Sequence, residues 1–356
     1  MNAGLYLMRP YQRLRRRAVK VYKILTLNSG KGSWIFIQRH LNKYFFKWSV
    51  ARQVPAPYRY FIWYASVANS VLRVVPAGRY LFRWSTRKTF GRLGCTLCIS
   101  ALGNKYYVHS NDPRSCVVPG EVLDFTTRLS ARLASEADVI IDVGANYGSF
   151  SNAVNQLKPS PQRRVIAFEP NPVLIEPLIG NLRGFGVVEP EVVWAAVGKE
   201  RSDVQLQIMS HNSGETRLAS MAGNQAEYSQ LPSTLIQVRQ TLLDDLLIDK
   251  AATVFVKIDV EGGEYRVLTG ALDFLRRHQP RIALEVNARR LEAAGDSIDE
   301  MIALLRSSGY SEFSHERCNV LHSIESLAQK RGQQDIILFP ESPRSYHSAS
   351  GRENIR

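Results

Sequence analysis

From Asp138 to near residue 340, short apolar runs alternate with stretches of helical periodicity, and this alternation constrains the fold more than any other feature of the chain. It predicts strands over 138–143, 164–168, 191–197, 204–209, 253–258 and 281–286, with later ones near 309–315 and 335–339. Helices are expected over 148–157, 172–184, 241–248, 264–277 and 296–308, and Glu121 to Ala134 reads as one more helix leading in. Strands alternating with helices imply a mainly parallel sheet covered on both faces, a doubly wound α/β fold. No internal repeat interrupts the pattern.

The part before this region has a different character. Residues 1–135 carry 23 Lys and Arg against only Asp112, Glu121 and Asp124, a net charge of +20 in a chain whose total is +14. The basic half is therefore expected to meet something acidic: a phospholipid surface, a nucleic acid or a charged glycan carrier. Trp34, Trp48, Trp63 and Trp84 are scattered among its cations, with helical-looking stretches at Tyr11 to Leu27 and Phe61 to Val75. That composition resembles an amphipathic, mainly helical appendage that either lies on a membrane surface or caps the catalytic region. The apolar run from Phe61 to Pro76 is interrupted by Arg73 and is shorter than the roughly 18 to 20 residues a membrane-spanning helix requires. Arg13 to Arg17 is not followed by a clean apolar stretch, so no secretory signal is read there and a cytoplasmic location, peripheral at the membrane, is expected. Cys95, Cys98, Cys116 and Cys318 are too few and scattered for a disulfide framework. Cys95 and Cys98 with His109 and Cys116 do not match a usual zinc spacing, and the cysteines are read as ordinary buried thiols. Three regions follow: a basic, aromatic-rich extension over 1–92, a catalytic domain over 93–340, and a disordered polar tail over 341–356.

Two loops at strand ends carry the chemistry. Asp138 to Phe150 is an apolar strand entering a glycine turn and then a helix, the place where open α/β sheets bind ligands. Gly144 and Gly148 allow a tight turn and a close approach of backbone to ligand. Asn146 stands where the second glycine of a dinucleotide fingerprint would be, and the third glycine is missing. Asp142, two residues before the turn, suits the ammonium of a methionine moiety better than a pyrophosphate. At the next strand end Glu169 is spaced to accept both hydroxyls of a ribose, with Asn171 and Pro172 starting the following helix. Ala195 and Ala196, after the third strand, would meet the adenine with backbone.

The second loop, Lys257 to Glu264, ends an apolar strand in Asp259, Glu261, two glycines and a helix start. Asp259 and Glu261 are candidates for the base that takes up a hydroxyl proton, Glu264 for a helix N-terminal charge, and Lys257 for a paired structural charge that could hold Asp259 ionised. Glu285 ends the fifth strand at the same edge. With Asp259 and Glu261 it offers oxygens to a divalent ion, but no His and no ligand spacing accompany them, and no metal is assigned.

These residues resemble the FkbM family of methyltransferases. The likeness rests on Asp142-Val-Gly-Ala-Asn-Tyr-Gly148, Phe168-Glu-Pro-Asn171, Ala195-Ala-Val-Gly198, Leu242-Leu-Asp-Asp-Leu246, and Lys257-Ile-Asp-Val-Glu-Gly-Gly-Glu264 followed by Val267-Leu-Thr-Gly270. It covers roughly 95–340; Gly263 replaces the more usual Ala, and the basic extension lies outside it. The resemblance implies a class I, Rossmann-like fold with a seven-stranded mainly parallel sheet, and S-adenosyl-L-methionine as donor, bound by Asp142, Gly144, Asn146, Gly148, Glu169, Ala195, Ala196 and Asp259. It also implies O-methylation of a hydroxyl on a saccharide, glycan or natural product, with Asp259 and Glu261 catalytic. The alternatives are an RNA methyltransferase, which the basic arm would serve, and a non-catalytic binding protein on the same fold.

Overall fold

In the computed structural model the described residues are 95–99, 104–109, 112, 118–209, 213, 216–219, 233–316, 318, 320–329 and 332–341. The expected basic extension over 1–92, its membrane contact, and the tail beyond 341 lie outside them.

In chain order the elements are β1 (Cys95–Ile99), β2 (Lys105–His109), α1 (Val118–Phe125), α2 (Leu129–Ala134), β3 (Val139–Val143), α3 (Ser149–Leu157), β4 (Arg164–Phe168), α4 (Pro172–Gly184) and β5 (Glu191–Val193). Then follow β6 (Ala196–Val197), β7 (Ser202–Met209), β8 (Arg217–Leu218), β9 (Ser233–Thr241), β10 (Val254–Ile258), α5 (Glu264–Thr269), α6 (Leu272–His278) and β11 (Arg281–Asn287). The chain continues through α7 (Ala288–Ala293), α8 (Ile298–Ser307), β12 (Tyr310–His315), β13 (His322–Ser323) and β14 (Gln333–Pro340).

The main sheet has the order β13-β12-β14-β11-β10-β3-β4-β5. Its pairs from β11 through β10, β3 and β4 to β5 are parallel, and β14 runs antiparallel to both β11 and β12. It holds eight strands, one more than the resemblance implied: the two-residue β13 pairs with β12 and covers what would be an open edge. Side chains alternate across the sheet as a pleat requires. Val139, Ile141 and Val143 of β3 join Val254, Val256 and Ile258 of β10 in the core under α5, α6 and α8. Ile140 and Phe255 point the other way and pack with Phe150, Val154, Leu178 and Leu182 of α3 and α4.

Several expected elements change form for local reasons. The single strand expected over 191–197 leaves the main sheet after Val193, and Ala196–Val197 joins β9 in a second sheet of order β6-β9-β7-β8. Of that sheet the residues of β6 and most of β7 were expected as strand, and β8 and β9 were not. The helix expected over 241–248 is a single 3₁₀ turn, Leu243–Asp245. Here Asp245 accepts from Thr241 Oγ1 and Leu242 N while Asp244 accepts from Phe274 N, side-chain bonds that compete with helical ones. The helix expected over 264–277 divides at Gly270, where a Cβ would lie 2.0 Å from the Gly198 carbonyl oxygen. The one expected over 121–134 divides where Thr126 and Thr127 donate their hydroxyls to the Leu123 and Asp124 carbonyls. The start of α4 forms as read: Asn171 Oδ1 accepts from Val173 N at 3.2 Å and Pro172 is the first helical residue. No helix among the described residues is long and apolar enough to cross a membrane.

Candidate active site

The β3–α3 turn is built from left-handed backbone, with φ of 78° at Gly144, 52° at Asn146 and 77° at Gly148. Glu169, at the end of the neighbouring β4, is only 3% exposed. Its Oε2 accepts from Asn146 N at 2.8 Å and its Oε1 from Asn171 N at 2.9 Å. Two amides thus aim one carboxylate at the cleft. It lines a cleft that also contains Gly144, Asn146, Phe168, Pro170, Ala195, Ala196 and Asp259. Seven of the residues expected at the cofactor and the chemistry therefore converge here, Glu261 being the last.

Asp142 and Gly148 do not line that cleft. Asp142 is fully buried, on the α3 side of β3, where Ser151 Oγ donates to its Oδ2 at 2.7 Å and Lys257 Nζ stands 3.9 Å from its Oδ1. Direct contact with a ligand ammonium is thus not what its position offers. Burial pushes the Asp142 carboxyl up, with the Lys257 charge opposing. Gly148 caps α3, and a Cβ there would meet Leu178 Cδ1 at 2.9 Å, so its role is packing.

Lys257 lies opposite Asp142 in the β10–β3 register and donates to Asp259 Oδ2 at 3.0 Å. Burial pulls its ammonium down, but Asp259 and Asp142 more than offset this and hold it above the ordinary lysine value. Glu261 sits in left-handed backbone, φ 57°, a strained conformation for a residue with a side chain. Its carboxylate contacts Arg290 Nη1, the same nitrogen that donates to Glu285 Oε1 at 2.9 Å. Oxygens of Asp259, Glu261 and Glu285 lie within 4.8 Å of one another. Burial, then the charge of Asp259, raises Glu261 to about 8 and Glu285 to about 7, with Arg290 opposing both. Glu264, 2% exposed, accepts from Gly262 N at 3.0 Å and Val260 N at 3.3 Å, so it braces the loop as well as the start of α5, and burial raises it to about 7.

A second, more polar cavity opens on the other side of the Gly144–Asn146 turn. It shares Gly144, Asn146, Asp259 and Glu261 with the first and adds Lys257, Glu285, Glu121, Glu316, Asp335 and Arg128. The three carboxylates thus stand in or beside the wall between two chambers. Sequence reading missed Arg290, Arg217, Gln240 and Arg266; the last three line the first cleft. Arg290 follows Asn287, whose side chain accepts from Arg290 N and caps α7, and that capping pattern was the available signal.

The methyltransferase FkbM domain model matches residues 142–312, the span from the first turn to β12 that contains nearly all of this site. The class of protein is accordingly a methyltransferase. The chain is 32% identical over 212 residues, covering 52% of itself and 79% of the relative, to 31-O-demethyl-FK506 methyltransferase FkbM of Streptomyces tacrolimicus. The chain belongs to the FkbM family of methyltransferases. Among solved structures it is similar to methyltransferase FkbM from Methylobacillus flagellatus KT, at 18% identity and TM-score 0.37, covering 57% of this chain and 44% of that one. It therefore spans less than half of that relative. TYW2 of M. jannaschii in complex with AdoMet is 10% identical, with TM-score 0.36, covering 70% of this chain and 87% of that one.

Proposed function

We propose that the chain uses S-adenosyl-L-methionine to methylate a hydroxyl of a saccharide, glycan or natural product. The observation that carries this reading is the carboxylate wall: Asp259 and Glu261 border both the cleft below Glu169 and the second chamber. The donor set of the cleft fits the cofactor. Glu169 takes the two ribose hydroxyls, Phe168, Pro170, Ala195 and Ala196 give the adenine an apolar wall, and Gly144 and Asn146 border the remainder. Asp142 contributes from beneath by holding Lys257. When bound, the cofactor supplies the electrophilic methyl group. Asp259, which lines the second chamber as well as the cleft, orients an acceptor hydroxyl and receives its proton.

The walls of that chamber also argue about the acceptor. Glu121, Glu285, Glu316 and Asp335 surround it together with Asp259 and Glu261, and among the described residues only Lys257 and Arg128 line it as cations. Such a surface repels phosphates and accepts neutral or cationic polyols, which favours the saccharide reading over RNA. Transfer of labelled methyl from S-adenosylmethionine should therefore appear on members of a panel of neutral and amino-substituted polyols and not on RNA; the opposite pattern would reverse the assignment. In the same assays Glu169→Ala should weaken cofactor binding by about 1.5 to 3 kcal/mol, the range for charge-assisted hydrogen bonds. A folded variant with unchanged affinity by calorimetry would remove Glu169 from the site and reopen the reading of a protein that binds without catalysing.

The net +20 over residues 1–135 supports attachment to an anionic membrane surface, where each engaged Lys or Arg contributes about 1 kcal/mol. Co-sedimentation with phosphatidylserine vesicles is expected for the full chain, to weaken with salt, and to disappear on removal of residues 1–92. Sedimentation indifferent to both changes would rule the membrane out as partner.

A further inference from the structure

Of the described residues lining the first cleft, Gln240 and Arg266 alone also line a third cavity, against the second sheet beside Val204 and Gln207 of β7. They therefore form the partition between the two, and each leaves one polar atom unbonded. Gln240 is 6% exposed and lies opposite Ala196 in the parallel β6–β9 pairing. Its Nε2 donates to the Glu200 carbonyl oxygen at 2.9 Å and stands 3.5 Å from Ser202 Oγ. A carbonyl can only accept, so the amide is fixed with its nitrogen toward Glu200; its Oε1 accepts from none of the described residues. Gly198 makes room for this amide, since a Cβ there would overlap its carbon and oxygen. Arg266, on α5, donates from Nε to Asp296 Oδ2 at 3.0 Å and from Nη2 to the Ala294 carbonyl, which leaves Nη1 without a hydrogen bond among the described residues. An enclosed acceptor beside a cationic donor, both bonded on their far sides, costs free energy unless a ligand completes them.

Resting on the cofactor reading above, we propose that Gln240 and Arg266 read the edge of the adenine ring: Gln240 Oε1 accepts from the 6-amino group and Arg266 Nη1 donates to N1. With Glu169 fixing the ribose, the edge of adenine that points farthest from the sugar carries this donor beside this acceptor, the complement of what the two side chains offer. The occupant is the base rather than a group of the acceptor because Gln240 is registered on Ala196, in the adenine wall, and not on the loop of Asp259. Hypoxanthine reverses the pattern, with a 6-oxo acceptor beside an N1–H donor. It would set oxygen against Gln240 Oε1 and N–H against Arg266 Nη1, and the cleft would reject it. Neither residue touches the reacting atoms, so both determine which cofactor is admitted and leave the transfer step to the carboxylates.

S-adenosylhomocysteine and S-inosylhomocysteine differ only in this edge of the base, which makes them the probes. Calorimetry of the full chain at neutral pH should show a preference for the adenosyl ligand of about 10²-fold or more, because two enclosed polar groups are mispaired in the inosyl complex. Gln240→Met, of matching length but without the amide oxygen, should cut that preference to about tenfold or less, chiefly by weakening the adenosyl ligand. Arg266→Lys keeps a cation for Asp296 but not the free third nitrogen, and should narrow the preference as well. Inosyl binding at least as tight as the parent's reports an intact cleft in either variant. If Gln240 serves only to brace Glu200, Gln240→Met lowers the melting temperature and weakens both ligands alike. A ratio unchanged from the parent's in Gln240→Met, or in Arg266→Lys should the first fail to fold, overturns the proposal, and so does a parent that binds the two ligands equally. Each of these leaves the cofactor assignment standing, since the adenosyl ligand still binds; absence of binding by both ligands to the parent overturns both.

Discussion

Gly144→Ala is expected to cost about 2 to 5 kcal/mol of stability and to abolish cofactor binding in whatever fraction still folds. Two penalties combine. At φ +78° a residue with a Cβ pays about 1 to 2 kcal/mol for the left-handed conformation. The added atom would also stand 2.0 Å from the carbonyl oxygen of Asp259, which is backbone and has no rotamer to move to. Overfilling a packed site of this kind costs about 1 to 3 kcal/mol more. Because β3 and β10 are hydrogen-bonded neighbours and Asp259 N donates to Val143 O, the strain cannot be relieved by one loop alone; it separates the turn that borders the cleft from the loop that carries the base. Thermal unfolding should report a fall of about 4 to 20 °C, taking 2 to 4 °C per kcal/mol for a domain of this size. A variant with parental melting temperature and cofactor affinity would mean that the two loops are not in the contact described.

What the sequence told in advance, and what it did not, divides along locality. Asn171 capping α4 and Pro172 at its first position are settled within a few residues of chain and stand as read, and Glu169 beside them follows the end of β4 where the sequence put it. Strand β10 and the carboxylates after it are likewise local: an apolar run followed by acids and glycines places those acids at a sheet edge whatever surrounds them. Asp142 was read as a ligand contact because its sequence neighbours are a glycine turn. Its actual surroundings are Ser151 one helix turn inward and Lys257 on the adjacent strand, and only the β3–β10 register brings the second of these to it. The role of Arg290 was hidden for the same reason, since the capping pattern at Asn287 marks only its helix: its partners Glu261 and Glu285 sit on a different loop and a different strand. The second sheet was half missed although Ser233 to Thr241 alternates in burial toward its end, because its partner β6 is two residues long and leaves almost no pattern of its own.

Asp259→Asn should lower turnover by about 10² to 10⁴ while leaving the cofactor bound, the loss typical of a positioned general base. Asp259 is preferred over its neighbours for the direct role because it is the most open of the three carboxylates, at 35% against 20% for Glu261 and 17% for Glu285, and because its partner is a buried lysine that fixes its orientation. Asparagine keeps the shape and can still accept from Lys257, so a large loss would trace to the missing charge rather than to collapse of the loop. The alternative, that Asp259 serves only to satisfy Lys257, predicts a different outcome: a stability change of a few kcal/mol at most, with turnover per folded molecule almost intact. Initial rates with a polyol identified in the transfer panel, set beside cofactor affinity and melting temperature, separate the two. If Asp259→Asn binds S-adenosylmethionine and turns over within a few-fold of the parent, the base is elsewhere. The same result for Glu261→Gln would leave alignment of hydroxyl and methyl, worth up to about 7 to 11 kcal/mol in well-oriented reactions, as the source of the rate.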